Sequence, residues 1–458
     1  MYIFADQWRK ESMGRYNDDI ITPNLDKFAA ESFVFERAYT TSPLCSPARA
    51  CLMSGMYPLK TGVFGNCKPT SKSGLLEDIT CITDVLKAQN YDTAYIGKWH
   101  LDVPSEGKDP RPNDGAKAWD AFTPPGKRRH GVDFWYSYGT YDNHFNPHYW
   151  QDDEKMTVFE NTWSVKHETH VAIDYLNNKK NKEKSENPFA MFISFNPPHT
   201  PYDMVPEEFL DLYLDKDIKI KQNVESYEIR KSMEYTGRLD ETILNTKRYY
   251  AAITGIDHYF GEIVKYLKDN NLYDDTLIVV SADHGDVMGS HGRYGKNIWY
   301  EEATNIPLIC GGSVKPGVSE ALIGTPDQTA TLLGLLDINN EVNFEGIDFS
   351  KLISGENTDD LHETLYVANY PDFSEKFVEK NYNFLDFGYR CLKSQRYSYV
   401  CNRREVFDGK SEEFIFDLKN DPEEMHPIYP SDENCELFEY FHEQANGWFE
   451  KIGDGFKI

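Results

Sequence analysis

The 458-residue chain has no run of the roughly 18 apolar residues that a membrane-spanning helix needs. It opens on MYIFADQWRK, without the basic and apolar regions of a leader peptide. These absences predict a protein that crosses no membrane and is cytoplasmic as given, or exported if upstream residues are missing. There is no low-complexity tract, and the eight cysteines show no paired spacing. They read as mostly free thiols; Cys391 and Cys401 flank a predicted hairpin, and a bond between them stays open. Positive charge is scarce, with 48 Lys and Arg against 75 Asp and Glu and a net charge of −27. A field of that sign argues against nucleic acid or an anionic membrane as partner.

What remains is a globular composition, 40% hydrophobic and 27% charged, long enough for one large domain and a smaller one. Four apolar runs read as buried strands: Tyr2–Ala5, Thr93–Ile96, Phe189–Phe195 and Thr276–Ala282. Helical signals lie between them. Thr22-Pro23 reads as an N-cap followed by a first-turn proline, and Ile79–Gln89 and Tyr249–Asn270 are amphipathic. The alternation predicts a mostly parallel sheet covered on both faces. A composition shift near residues 355–362 separates a catalytic domain, 1–358, from a small C-terminal unit, 359–458. The latter is predicted to hold short antiparallel strands (364–368, 387–392, 397–400, 413–417) closed by a helix over 435–448.

The residues directly after each long strand carry chemistry. Asp6-Gln7 comes after the first, Gly97-Lys98-Trp99-His100 after the second, Asn196-Pro197-Pro198-His199 after the third and Asp283-His284-Gly285-Asp286 after the fourth. Ligands of open α/β sheets bind beyond the carboxyl ends of the strands, so these groups are predicted to build one polar site. Asp6 or Asp283 alone would more often cap a helix. The pair makes that reading weak.

Cys45-Ser46-Pro47-Ala48-Arg49, within TTSPLCSPARACLMSGMYPLKTG, with SADHGD…GSHG…GK and NYDTAYIGKWHL, resembles the signatures of the type I sulfatases, members of the alkaline phosphatase-like superfamily. The resemblance runs from Asp6 to Lys296 and again over FIFDLKNDPEEMHP near the C-terminus. It implies the alkaline phosphatase-like fold, a large mostly parallel sheet sandwiched by helices. It also implies that Cys45 is oxidised to formylglycine by a formylglycine-generating enzyme or its anaerobic counterpart. The hydrated aldehyde would then be the nucleophile of sulfate-ester hydrolysis. The plain alternative for Cys45 is a buried thiol.

By the same resemblance Asp6, Gln7, Asp283 and His284, with the modified residue 45, hold a divalent metal. Oxygen donors suit Ca²⁺, while a ring nitrogen from His284 suits Mn²⁺ or Zn²⁺. Gln7 stands where relatives often carry a second Asp. Lys98 and Lys296 are implied to bind sulfate oxygens, Arg49 to hold the diol, His100 to assist its collapse and His199 to protonate the leaving oxygen. Arg49 lies at i+4 from Cys45, so the two can share a helix face. Ser46-Pro47 reads as a helix start aiming N–H groups at an anion. His291 is expected to brace the loop after Asp286.

The aromatic segment FWYSYGTYDNHFNPHYW is either packing over the sheet or a platform for sugar rings, with Asn143 and His144 reaching hydroxyls. A sulfated saccharide is therefore the expected substrate. Two other functions stay open: a phosphonate monoester or phosphodiester hydrolase of the same superfamily, some of which share Asp-Gln, and a non-catalytic glycan-binding protein with Cys45 unoxidised.

Overall fold

The computed structural model describes residues 1–69, 74–104, 119–181, 187–225, 238–339, 341–356, 361–371, 377, 381–403 and 412–458. Eight strands form the large sheet: β1 (Tyr2–Ala5), β2 (Phe33–Tyr39), β3 (Asp92–Lys98), β4 (Phe134–Tyr138), β5 (Phe189–Phe195), β6 (Leu277–Ala282), β7 (Leu308–Gly312) and β8 (Gly317–Gly324). Their order is β8-β2-β7-β6-β1-β5-β3-β4. All neighbours run parallel except β7, which is antiparallel to both β2 and β6. The four strands read from the sequence are the contiguous centre, β6-β1-β5-β3. β1 and β6 are buried at every position, and so is β5 beyond its first residue. Unbroken apolar runs belong where helices cover both faces.

Sequence periodicity missed the flanking strands for a physical reason. β2 carries half-exposed Glu36 and Arg37, and edge strand β8 alternates exposed with half-buried residues over its first half. Such segments score as mixed rather than as core strands.

Helices α1 (Pro23–Ala30), α2 (Cys45–Ser54), α3 (Ile82–Ala88), α4 (Ser164–Asn181), α5 (Leu239–Asp269) and α6 (Thr325–Leu335) sandwich the sheet. Thr22 does precede α1, but its hydroxyl donates to Asp26 Oδ1 at 3.1 Å instead of capping a backbone N–H.

A second, antiparallel sheet runs β9 (Thr364–Asn369), β10 (Gly388–Ser394), β11 (Tyr397–Arg403) and β12 (Glu412–Asp417), with α7 (Cys435–Ile452) across one face. Phe438, Phe441, Trp448 and Phe449 of α7 pack on Tyr366, Leu392, Tyr399 and Ile415. The opposite face, built by Val367, Cys391, Val400, Phe414 and Phe416, packs on Val287, Ile298 and Trp299 of the large unit. Because side chains alternate along a strand, Cys391 and Cys401 lie on opposite faces, and both are free. The boundary expected at 358/359 lies outside the described residues. No helix among the described residues is long and apolar enough to cross a membrane.

Where the sheets meet, buried Lys393 faces two carboxylates, Glu301 at 2.8 Å and Glu424 at 3.4 Å. One ammonium cannot satisfy two buried carboxylates equally. Burial pushes Glu424 up from 4.5 to about 8, while Lys393 opposes the rise and Glu301 adds to it. The folded state therefore holds a proton that the unfolded chain releases above 4.5, and stability falls as pH rises from there to about 8. Glu424→Gln, isosteric and never charged, is expected to flatten that slope in thermal melts taken across this pH window; an unchanged slope would assign the dependence elsewhere.

Candidate active site

Parallel pairing of β1 with β6 sets Ala5 beside Ala282, so the next residues, Asp6 and Asp283, emerge side by side. Both are buried. The chain turns immediately in a left-handed conformation at Gln7, φ 70°, and Gln7 donates its backbone N–H to Asp283 Oδ1 at 3.0 Å. On the other side of β1, strand β5 separates it from β3, whose last residue is Lys98. Gly97 there has φ 98°, and a Cβ would lie 2.2 Å from the Ser194 carbonyl oxygen. Only glycine lets β3 deliver Lys98 so close to β5.

Two carboxylates this close in a buried setting repel, and cations hold them. Arg49 Nε donates to Asp283 Oδ2 at 3.0 Å and its NH2 to Asp6 Oδ2 at 3.1 Å. Its NH1 donates to the Lys98 carbonyl and to Ser194 Oγ, both at 2.7 Å. Lys98 Nζ lies 2.6 Å from Asp6 Oδ2 and 3.0 Å from Asn196 Oδ1. Burial pushes the Asp6 carboxyl up, but Lys98 and Lys296 outweigh it and hold it well below the carboxylate range. Burial and then Asp6 push Asp283 up. Arg49, Lys98 and Lys296 thus set three positive charges against the two carboxylates, with the Cys45 sulfur beside them.

Cys45 opens α2 itself, after Leu44 at the N-cap, one residue earlier than Ser46-Pro47 suggested. Ser46 N–H donates to Asn66 Oδ1 at 3.2 Å and its hydroxyl to the His100 carbonyl at 2.6 Å. The Cys45 Sγ lies 3.0 Å from Lys296 Nζ, 3.5 Å from His284 Nε2 and 3.6 Å from Asp6 Oδ1. Burial and Asp6 push the thiol up; Lys296 and Lys98 prevail and hold it well below its ordinary value. His100, 2% exposed, leaves both ring nitrogens without a hydrogen-bond partner. Burial drives its pKa down. Two orphaned nitrogens in a sealed pocket cost free energy unless a polar group joins them.

His199 Nδ1 lies 2.7 Å from the Thr200 carbonyl oxygen and 3.4 Å from Asp142 Oδ1. Since a carbonyl can only accept, Nδ1 carries the proton in that contact and Nε2 is the free nitrogen.

The structure thus brings Asp6, Gln7, Cys45, Arg49, Lys98, His100, Asp283, His284 and Lys296 together, with His199 at the rim. Arg49 clamps the two carboxylates beside residue 45. The structure corrects two expectations. His144 is buried with Nε2 at 2.8 Å from the His199 carbonyl, so it positions that segment and does not reach outward. Asn143 Oδ1 accepts from the Phe145 and Asn146 N–H groups in a tight turn, at 3.3 and 3.1 Å. The aromatic segment is largely packing: Tyr136, Tyr138, Tyr149 and Trp150 are buried, with Tyr136 and Tyr149 stacked at 4.6 Å. His291 stacks on Tyr300 at 3.5 Å, which suits its expected bracing part. Asn196 and Asp286 were read as part of the polar edge without a role, and Ser194, inside β5, went unread.

A family model described as Sulfatase matches residues 1–338. The chain belongs to the sulfatase family. A second model, N-sulphoglucosamine sulphohydrolase, C-terminal, matches residues 289–450. An endo-4-O-sulfatase of Bacteroides thetaiotaomicron is 34% identical, covering 99% of this chain and 92% of that protein. An ulvan-active sulfatase of Formosa agariphila is 29% identical over 100% and 82%. A solved structure from work on the metabolism of multiple glycosaminoglycans by Bacteroides thetaiotaomicron superposes with a TM-score of 0.86 at 31% identity, covering 99% of this chain and 96% of that one. This sulfatase is a sulfuric ester hydrolase.

Sulfatases imply a metal ion, and the donor set here fits one. Gln7 donates its amide N–H to Asp286 Oδ2, which turns Oε1 toward the site, 2.6 Å from Lys296 Nζ. His284 Nδ1 is 2.9 Å from the Gly285 carbonyl, so Nδ1 carries the proton and Nε2 offers its lone pair beside Asp6 and Asp283. Both orientations are set from behind, as ligand side chains require. The carboxylate oxygens of Asp6 and Asp283, the Gln7 amide oxygen and the His284 ring nitrogen are the donor types that suit a divalent ion.

Arg49→Met is expected to lower unfolding free energy by about 3–5 kcal/mol, the cost of stranding buried charges. Urea denaturation of the purified variant measures it. A loss near zero would mean that the carboxylates do not need this clamp.

Proposed function

We propose that this sulfatase hydrolyses sulfate esters of a saccharide through a formylglycine made from Cys45. The observation that carries the reading is the position of Cys45 Sγ, 3.0 Å from Lys296 Nζ and 3.6 Å from Asp6 Oδ1, with the buried His100 ring beside it. Oxidation would place a hydrated aldehyde there, one hydroxyl to attack sulfur and the other to break the C–O bond that later frees sulfate. Asp6, Gln7 Oε1, Asp283 and His284 Nε2 would hold a divalent ion, Ca²⁺ by the predominance of oxygen donors. Such an ion supplies positive charge for the sulfuryl oxygens.

The chain's own groups do the rest. Lys296 and Lys98 neutralise charge building on the sulfuryl oxygens, in a buried setting where such stabilisation counts most. His199 acts as imidazolium: Nδ1–H stays on the Thr200 carbonyl and the second proton, on Nε2, goes to the departing alcohol oxygen. His100 takes the proton of the second hydroxyl as sulfate leaves, and water then restores the diol. A saccharide substrate is supported by the endo-4-O- and ulvan-active sulfatases among its relatives. Maturation requires an enzyme that oxidises Cys45.

Three measurements test this. Intact mass of the tryptic peptide containing residue 45, from the native host, is expected to show aldehyde or diol; a plain thiol would favour the glycan-binding alternative. Turnover of sulfated mono- and disaccharides is expected to exceed that of aryl phosphonates and phosphodiesters, and the reverse order would overturn the sulfate assignment. His199→Asn is expected to lower kcat by roughly 10²–10⁴-fold on an alkyl sulfate. The deficit should shrink on an aryl sulfate, whose leaving group needs less protonation.

A further inference from the structure

The atoms around Cys45 Sγ are spaced in a way that oxygen chemistry at residue 45 does not require. His284 Nε2 lies 3.5 Å from Sγ, 3.6 Å from Asp6 Oδ1 and 3.6 Å from Asp283 Oδ1. Sγ lies 3.6 Å from Asp6 Oδ1. All four donors are buried and fall within 4.8 Å of one another. Zinc bonds of about 2.3 Å to sulfur and about 2.0–2.2 Å to nitrogen and oxygen give a tetrahedron with edges of about 3.3–3.6 Å. Four of the six edges already have that length before any ion enters. The two sulfur distances also suit thiol hydrogen bonds, whereas the two His284–carboxylate distances are too long for one; all four suit ligands sharing one small cation.

We propose that the unconverted chain, with Cys45 still a thiol, holds a thiophilic divalent cation of the zinc class at Asp6, Cys45, Asp283 and His284. Binding forms a metal–sulfur bond and releases the Sγ proton to solvent. Thiolate and imidazole select such an ion, whereas carboxylate and carbonyl oxygens select Ca²⁺. Replacing the one sulfur by oxygen changes which ion the pocket prefers. That consequence for the mature enzyme rests on the conversion of Cys45 proposed above; the metal site in the thiol form rests on geometry alone. Lys296 Nζ lies 3.0 Å from Sγ and 3.6 Å from Asp6 Oδ1, so it competes for the sulfur and keeps Gln7 Oε1, at 2.6 Å, as a partner when the ion binds. A second Cys-Asp-His group, Cys81, Asp84 and His130, is the competing thiol site. There the Cys81 side chain caps α3 by accepting the Asp84 N–H.

The test uses metal-free full-length chain whose peptide mass shows residue 45 as a thiol. Co²⁺ is expected to give a thiolate-to-metal charge-transfer band, and calorimetry is expected to show Zn²⁺ binding at least about 100-fold tighter than Ca²⁺. The band should vanish in Cys45→Ser and persist in Cys81→Ser. X-ray absorption of the Zn²⁺-loaded wild-type chain, which needs no variant to fold, is expected to show one sulfur at about 2.3 Å. A shell of nitrogen and oxygen only would overturn the proposal. So would a band lost in Cys81→Ser and kept in Cys45→Ser, or equal affinity for Zn²⁺ and Ca²⁺. None of these readouts depends on sulfatase activity, so its absence leaves the metal result standing and the reverse also holds.

Discussion

Two carboxylates at the ends of neighbouring parallel strands are the constraint on which the rest of this molecule depends. Asp6 and Asp283 emerge together because β1 and β6 pair in register. Buried like charges at that distance cost several kcal/mol unless cations stand close. Arg49 reaches both from α2, Lys98 comes from β3 and Lys296 from the loop after β6. Three elements far apart in sequence are drawn to one point by the need to neutralise it. The same cations hold the Cys45 sulfur in a charge-poised state. Structural neutralisation and the machinery for an anionic substrate are therefore one set of groups. In a chain with a net charge of −27, three cations are concentrated at this one buried point.

The small antiparallel sheet matters to this site. One face is filled by α7, and the other packs on Ile298 and Trp299, two and three residues beyond Lys296. Asn297, in a left-handed conformation, accepts from the Asn369 amide of β9 and donates its backbone N–H to Pro43 O at 2.8 Å. The lysine that touches Cys45 is thus held between the C-terminal unit and the segment entering α2. The small sheet thus braces the segment that carries Lys296.

Sequence reasoning read the chemistry better than the packing. Asp6, Lys98, His199 and Asp283 each come after a long apolar run, and a continuous apolar run of that kind has few alternatives to a central strand. The flanking strands β2 and β8 carry polar residues on partly exposed faces, and their strand character comes from pairing with neighbours that periodicity cannot see. The roles of the groups behind the site escaped for a related reason. Asp286 matters because it turns the Gln7 amide, and Ser194 and Asn196 matter because they receive Arg49 and Lys98; each role is a contact across more than 90 residues. Asn143 and His144 were misread in the opposite direction. Polar residues among aromatics suggested a sugar platform, but one closes a turn and the other supports the His199 backbone.

From the sequence by itself came the fold class, the central strands and the kinds of group gathered at their carboxyl ends, because these depend on residue type at short range and on recurring motifs. Tertiary structure alone decided that Arg49 serves the carboxylates, that Gln7 presents its oxygen, that Cys391 and Cys401 stay apart, and that three donors lie within 4.8 Å of the Cys45 sulfur. Those are matters of direction and of distances near 3 Å between residues hundreds apart in the chain. Only the paired strands and the packed helices set them.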